Sequence, residues 1–273
     1  MPELAEVEFY RRRWAVGHGG RITAVHVHPE ARIFRDCDPA IIVRELTGRK
    51  LVGSAAAAKQ MHFRLTGGRW LGLHLGMSGE LRVESADYVV QRHDHLVLRQ
   101  SQRTLVFTDP RMFGGVRWHL GPRPPLWWTQ LAPAVLSTAF TTKCVDHFLR
   151  RHARAPIKTV LLQQEQFPGI GNWMADEILW RAEIHPGRLT GSLTAAERHV
   201  LRRECRWVCR AALRVIAGVG GMLPADLNAN IPAQWLFIHR WKKGGTCPRS
   251  GVTLRHSVIG GRTTCWSPAR QKF

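Results

Sequence analysis

The proline-rich run Pro122-Arg-Pro-Pro125 constrains this 273-residue chain more than any other feature, because the hydrophobic pattern differs on its two sides. Proline fixes φ and lacks the backbone donor, so such a run acts as a rigid connector and not as the interior of a helix or sheet. Upstream, from Arg21 to about Trp118, short apolar stretches alternate with polar residues. Examples are Ile22-Thr-Ala-Val-His-Val27, Arg69-Trp-Leu-Gly-Leu-His-Leu75, His95-Leu-Val-Leu-Arg99 and Arg103-Thr-Leu-Val-Phe-Thr108. Turn residues such as Thr66-Gly-Gly68 and Ser78-Gly79 separate them, which reads as an antiparallel sandwich or barrel. Ahead of the strands, residues 2–14 place Leu4, Val7 and Tyr10 or Arg11 at helical spacing, until Gly17-His-Gly-Gly20 breaks the pattern; a short helix is expected at about 39–47. Downstream of the prolines the pattern predicts helices over 138–151, 157–165, 172–183 and 194–217. The Gly- and Thr-rich end reads as a β-hairpin. The predicted class is therefore α+β in three parts: an N-terminal helix with an antiparallel β-sandwich (1–121), a helical domain (122–240) and a hairpin (241–273).

Charge narrows the partners. Forty Lys and Arg against twenty Asp and Glu give +20, a surface suited to a polyanion, of which nucleic acid is the commonest. Charge alone fits DNA, RNA, acidic lipid or a ribosome-associated protein equally. No apolar run is long enough to span a bilayer and no signal peptide is seen, so a cytoplasmic, nucleoid-facing protein is expected. Six cysteines in a chain of this length do not make a disulfide framework, and Cys205 and Cys209, at i, i+4, read as core thiols.

The opening residues carry potential chemistry. Removal of Met1 would leave Pro2 as a free secondary amine. An α-amino group titrates near 7.7–8.0, so a useful fraction is neutral near pH 7 and able to attack an electrophilic carbon and form a Schiff base. Glu3 supplies a carboxylate beside it that could move protons. A frayed terminus beside a helix cap fits these residues equally. Lys59, after Ala55-Ala-Ala-Ala58, reads as a lysine in a cleft or one on the surface. His74-Leu-Gly-Met-Ser-Gly79 and Asp109-Pro-Arg-Met-Phe-Gly114 are tight loops. Their Met77, Arg111 and Phe113 could wedge into a duplex and fill the gap left by an extruded base, or pack in a core. In Phe167-Pro-Gly-Ile-Gly-Asn172 two glycines permit a tight backbone and Asn172 is expected to N-cap the following helix, with Lys158 upstream. Such a helix–two-turn–helix can clamp a phosphate or simply connect two helices. Near the end, Cys247 and Ser250, Ser267 and Arg270 stand where a four-cysteine zinc ribbon has its ligand pairs, so the sulfur count fails. Cys247, Cys265 and His256 could make at most a three-ligand site. The expectation is no metal, with the hairpin held by packing of Trp266 and Leu254.

In order and spacing, several of these pieces coincide with one family. The chain resembles the formamidopyrimidine-DNA glycosylase / endonuclease VIII family over nearly its full length. The matching motifs are Pro2-Glu3-Leu4 with Glu6-Val7-Glu8, Lys59, His74-Leu-Gly-Met-Ser-Gly79, Asp109-Pro-Arg111 with Phe113-Gly114, Gly169-Ile-Gly-Asn172 with Ala175-Asp-Glu-Ile-Leu179, and Ile184-His-Pro186. The Met77 and Asp-Pro-Arg loops look more like the formamidopyrimidine branch. The resemblance implies a base-excision-repair DNA glycosylase with AP lyase activity acting on damaged double-stranded DNA, working without metal or organic cofactor. It implies that Pro2 attacks the sugar C1′, that Glu3 shuttles protons with Glu6 in the same polar site, and that Lys59 contacts the phosphate flanking the lesion and assists catalysis. It further implies that Met77, Arg111 and Phe113 fill the void and probe the opposite base, and that Lys158, Asn172 and Arg262 hold the bent backbone.

The departures bear on specificity. Ala5 replaces a proline usual in the opening motif, Met112 stands where a second arginine is common, and the broken ligand pattern implies a zincless finger. The segment 218–241 does not look like the loop with which members that excise 8-oxoguanine cap the base, so the lesion stays open between oxidised, ring-opened and alkylated bases. Within it Trp235, Phe237 and Trp241 read as hairpin core or as a stacking wall. A catalytically silent damage-binding protein of the same fold and an RNA-binding basic protein are the competing readings; a monomer is expected.

Overall fold

The computed structural model describes all residues except Pro29 and Gly221. The chain forms two compact units: Met1–Leu131 with Gly220–Leu223, and Ala132–Val219 with Pro224–Phe273.

The first unit opens with helix α1 (Leu4–Ala15), followed by β1 (Ala24–Val27), α2 (Pro39–Leu46) and seven further strands. These are β2 (Leu51–Ala57), β3 (Gln60–Leu65), β4 (Arg69–His74), β5 (Glu80–Glu84), β6 (Asp94–Arg99), β7 (Thr104–Thr108) and β8 (Gly115–Leu120). They form two antiparallel four-stranded sheets, ordered β1-β6-β7-β5 and β2-β3-β4-β8. Helix α1 ties the sheets together. Its fully buried Trp14 donates Nε1–H to Arg82 O of β5 at 2.9 Å and packs on Phe63 of β3 at 5.2 Å between ring centroids. In the second sheet the alternation of side chains along a strand puts Met61, Phe63, Leu71, Leu73 and Val116 on the core face. The opposite face carries Gln60, His62, Gly72, His74, Gly115 and Arg117 in register across three strands.

That opposite face explains a shift in the boundary. The chain passes to the second unit after Leu131, not at Pro122, because the short helix α3 (Leu126–Thr129) lies back on the sheet. Trp128 stands edge-on to His62 at 4.3 Å, and Trp127 packs over Gly72, where an added Cβ would lie 2.5 Å from its ring.

The second unit holds α4 (Thr142–Arg151), α5 (Ile157–Leu161), α6 (Asn172–Ala182), α7 (Ala195–Ile216), α8 (Leu236–His239) and the hairpin β9 (Arg255–Ile259) with β10 (Arg262–Trp266). Helix α7 starts at a capping box between Thr194 and Glu197. The helices α4 and α5 are shorter than the periodicity suggests, since residues 138–141 and 162–165 run into turns. The hairpin packs on α6. Trp180, Leu236, Cys247, Leu254 and Cys265 form one buried cluster, in which Trp180 donates Nε1–H to the Cys247 sulfur at 3.3 Å. Leu254 is thus core, as expected, whereas Trp266 sits half-buried against the His185 ring at 4.4 Å. Trp235 and Phe237 are also core, but Trp241 is exposed. No helix among the described residues is long and apolar enough to cross a membrane.

Candidate functional site

At the N-terminus the sequence builds a short polar corner. Glu3 occupies the N-cap position of α1, so the helix begins at Leu4. Its backbone N–H donates to Glu6 Oε2 at 3.2 Å in a capping-box arrangement, which satisfies donors the first turn would otherwise leave unpaired. Glu3 is buried to 3% exposure, and Pro2 beside it is half-buried. Glu3 and Glu6 are therefore brought together at the start of a helix that is anchored on both sheets.

Lys59 lies in the two-residue loop between β2 and β3, where Ala57 pairs with Gln60. Its companion Ala58 has φ 55°, a left-handed conformation that disfavours a side chain. Lys59 is half-buried, between the cleft and surface alternatives. Its charge reaches His74 at the end of β4. Burial, then the positive charges of Lys59, Arg117 and Arg35, hold the His74 ring below its ordinary range and keep it neutral. His74 Nδ1 accepts Gly76 N–H at 3.1 Å, which leaves the proton on Nε2.

The two loops with candidate wedge residues are joined by Asp109, a side chain the sequence reading passed over as part of a motif. Asp109 is fully buried, accepting Ser78 Oγ–H at 2.6 Å on one oxygen and Gly114 N–H at 2.7 Å on the other. Ser78 Oγ also accepts Arg111 N–H at 3.3 Å. Gly76 has φ 60° and sits so close to the Phe113 backbone that no Cβ would fit. With both loop bases fixed, Met77 and Phe113 stand out at 36% and 48% exposure, and Arg111 lies over the Phe113 ring at 4.9 Å. The core alternative for Met77 and Phe113 is thereby excluded.

In the second unit, Gly169 takes φ 88° in the two-turn loop, and Gln164 braces it by accepting Gly169 N–H at 3.0 Å and donating to Ile170 O at 2.9 Å. Asn172 is not the N-cap: Gly171 holds that position, and the Asn172 side chain instead donates Nδ2–H to Thr263 O of β10 at 2.9 Å. The Gly260 turn of the hairpin abuts Thr159 of α5. Arg262, exposed, is therefore held next to the Asn172 contact.

Lys158 departs from its expected place. It is fully buried, and Nζ donates to Asn172 O at 2.6 Å and to Asp176 Oδ1 at 2.5 Å. Asp176 Oδ2 accepts Arg240 Nη2–H at 2.6 Å and Cys265 N–H at 3.1 Å. Asp176 thus joins α5, α6, the end of α8 and β10. Sequence reasoning missed it because a buried acid surrounded by residues 18 to 89 positions away leaves no local signal.

No group of three His, Cys, Asp or Glu that could hold a metal occurs among the described residues. His256 donates Nε2–H to Arg240 O at 2.9 Å. Burial pushes the Cys247 thiol up, but hydrogen bonds led by Ser250 outweigh it and bring it down to about 7.

Comparison with known proteins agrees with this geometry. Residues 1–116 match the formamidopyrimidine-DNA glycosylase N-terminal domain, and residues 131–222 match the formamidopyrimidine-DNA glycosylase H2TH domain. A formamidopyrimidine-DNA glycosylase from Roseiflexus sp. is 36% identical over 278 residues, with both chains covered completely, and one from Alkalilimnicola ehrlichii is 35% identical over 286 residues with the same coverage. The fold superposes on that of Lactococcus lactis Fpg solved with DNA containing N7-benzyl-Fapy-dG, at TM-score 0.87, 26% identity and complete coverage of both chains. It also superposes on the same enzyme bound to DNA containing an abasic site, at TM-score 0.86, with 99% of this chain and all of that chain covered. The chain belongs to the formamidopyrimidine-DNA glycosylase family.

Proposed function

We propose that Pro2, Glu3 and Lys59 carry the chemistry of this chain, a base-excision DNA glycosylase with the AP lyase activity of its family. The observation that supports this most is Glu3, a buried carboxylate set beside Pro2 at the head of a helix anchored on both sheets. With Met1 removed, the Pro2 nitrogen lone pair attacks C1′ of the damaged nucleotide. The glycosidic bond breaks, its electron pair leaves with the base, and opening of the sugar ring yields an iminium at C1′. Glu3 moves the protons that these steps require. The iminium acidifies the C2′ proton, so its loss expels the 3′ phosphate and a second elimination expels the 5′ phosphate. Lys59 neutralises the flanking phosphate. Met77, Arg111 and Phe113 fill the void on the strand pair.

In the second unit Asn172 and Arg262 hold the backbone, while Lys158 acts from within by fixing Asn172, its buried ammonium being bound to the Asn172 carbonyl. Substrate, on this reading, is damaged double-stranded DNA, engaged by a monomer in the cytoplasm, with no cofactor. The departure of 218–241 from the base-capping loop leaves the preferred lesion to be determined among oxidised, ring-opened and alkylated bases.

Borohydride trapping tests the reading, with the mature N-terminus checked by mass. The duplexes carry 8-oxoguanine, formamidopyrimidines, oxidised pyrimidines, alkylated purines or an abasic site. A covalent adduct on a damaged base that is lost in Pro2→Gly is expected. No adduct on any duplex with Met1 removed would overturn it in favour of a silent damage binder.

A further inference from the structure

Helix α7 leaves one continuous stripe in solvent. Apart from Ala195 and Ala196 in its first turn, its exposed residues are His199, Arg203, Trp207, Arg210 and Arg214. Successive spacings of four, four, three and four residues put all five on one helix face. The other side of the helix buries Leu201, Cys205, Val208 and Ala212, so α7 is held in place without the stripe. The two acids of the helix lie off it. Glu197 closes the capping box and binds Arg188, and Glu204 is buried beneath Arg181 and Arg203. Arg210 and Arg214 form no ion pair among the described residues.

At the middle of the stripe one aromatic ring is fixed in place. Trp207 is 38% exposed, and the Arg181 guanidinium of α6 lies over it at 3.4 Å from the ring centroid. Arg181 is itself held by Glu177 at 3.4 Å and by Glu204 at 3.3 Å, and Trp235 stands against Trp207 at 5.8 Å between centroids. Further cations adjoin the ring. Exposed Arg249 is pulled below its ordinary range by burial first and then by the charges of Arg181 and Arg270. Arg181 stands nine residues after Asn172, about 13 Å along α6. The surface is therefore at the other end of α6 from the contact between Asn172 and Thr263.

Cations alone attract any polyanion, but the fixed ring favours a protein. Trp and Arg are the side chains most enriched at the energetic centre of protein interfaces, and a ring already held in one orientation loses little freedom on being covered. A nucleic-acid base stacks on an open ring face, and Arg181 already occupies one face of Trp207. The exposed remainder suits an apolar side chain packed against it, with carboxylates reaching the arginines on either side. From His199 to Arg214 the stripe runs about 22 Å, the length of about seven residues of extended chain.

We propose that the outer face of α7 is a docking surface for an acidic, extended segment of a partner protein, in which an aromatic or aliphatic side chain covers Trp207 and carboxylates pair with Arg203, Arg210 and Arg214. This interface is separate from the Pro2 chemistry and stands or falls independently of it.

The test titrates the full-length protein with a fluorescein-labelled heptapeptide, three aspartates on each side of a phenylalanine, and with the same peptide carrying alanine at its centre. The variants are Trp207→Ala and the pair Arg210→Glu with Arg214→Glu. The pair leaves the buried side of α7 intact, and circular dichroism with melting shows whether Trp207→Ala still folds. The phenylalanine peptide should bind the wild type, and about tenfold more weakly each of the two variants. Charge reversal should act on the association rate and its salt dependence, and Trp207→Ala on the dissociation rate. Replacing the phenylalanine should weaken binding to wild type and make little difference to Trp207→Ala, because the two rings act as a pair. Borohydride trapping on damaged duplex, at an ionic strength where charges are screened beyond about 8 Å, should be the same in the charge-reversed protein as in wild type. If the wild type does not bind the peptide, or the charge-reversed protein binds it as well as wild type does, the proposal fails. It fails too if charge reversal abolishes trapping, which would put the stripe on the path of the duplex. A single-stranded oligothymidylate that binds wild type more tightly than the peptide, and loses that affinity on charge reversal, would make the stripe a nucleic-acid surface and overturn the protein partner.

Discussion

Two buried aspartates do opposite jobs in this protein. Asp109 in the first unit takes only neutral donors, the Ser78 hydroxyl and the Gly114 amide, and by fixing two loop bases it turns Met77, Arg111 and Phe113 outward. Asp176 in the second unit takes two cations, Lys158 and Arg240, and an amide, and by doing so draws inward a lysine expected at the surface. The contrast teaches that a motif's charged residue can act by exposure or by burial, and that its partner decides which. A neutral-donor aspartate organises what surrounds it. A cation-binding aspartate removes the cations from solvent and uses them as bolts between distant segments.

The strongest way to break the comparison is Asp176→Ala. It leaves the Lys158 and Arg240 charges in the interior without their shared partner, which costs about 3–5 kcal/mol. Denaturant unfolding should show the loss, and hydrogen exchange should place it in α5, α6 and β10; a loss under 1 kcal/mol would show that the hub is not needed.

Acid and base should then separate the units. His62, between the Trp70 and Trp128 rings, is pushed down to about 4 by burial first and by Arg64 and Arg11 second. The unfolded chain takes up a proton near 6.5 and the folded one only near 4, so the first unit loses stability as pH falls across that window, by about 3 kcal/mol in full. Glu177 is pushed up to about 7 by burial, against the opposing pull of Arg181. Here the unfolded chain loses its proton near 4.5 and the folded one only near 7, so the second unit loses stability as pH rises across that window, by a similar amount. His62→Phe should shrink the acid limb of the first unit, to which His18, His74 and His95 also contribute, and Glu177→Gln should remove the loss toward neutral pH in the second, both read by residue-resolved hydrogen exchange between pH 4 and pH 8. A limb left unchanged by its own substitution would refute that assignment.

Asp109→Ala should cost about 2 kcal/mol, from a lost hydroxyl and a lost amide partner in the interior. Faster exchange at residues 76–79 and 109–114, with weaker binding to damaged duplex, is the expected signature. Smallest of all, Phe113→Ala should change stability by no more than about 0.5 kcal/mol, because the ring is half exposed. If it destabilises the protein markedly, the ring is packing and not waiting for a partner.

Much of this molecule is legible in local pattern. The short apolar runs in Arg69–His74 and Thr104–Thr108 mark strands, and both strands are buried on their two faces. The helices Thr142–Arg151, Asn172–Ala182 and Ala195–Ile216 follow from apolar spacing. Pro2, Glu3, Lys59 and the two loop motifs announce a family because their order and spacing are themselves sequence properties. What sequence could not reveal depends on partners far along the chain. Gly171 takes the cap position, and the Asn172 amide instead reaches Thr263, 91 residues away. Beyond the proline run, Trp127 and Trp128 pack on Gly72 and His62, so by contacts the first unit extends to Leu131. Lys158 is a surface cation by composition and a buried one by tertiary structure, since only the folded chain brings Asp176 and the Asn172 carbonyl to its ammonium and repays its desolvation. Sequence determined which residues carry charge, apolar surface and a nucleophilic amine; the tertiary structure decided which of them face water, because burial and pairing belong to neighbours that only folding assembles.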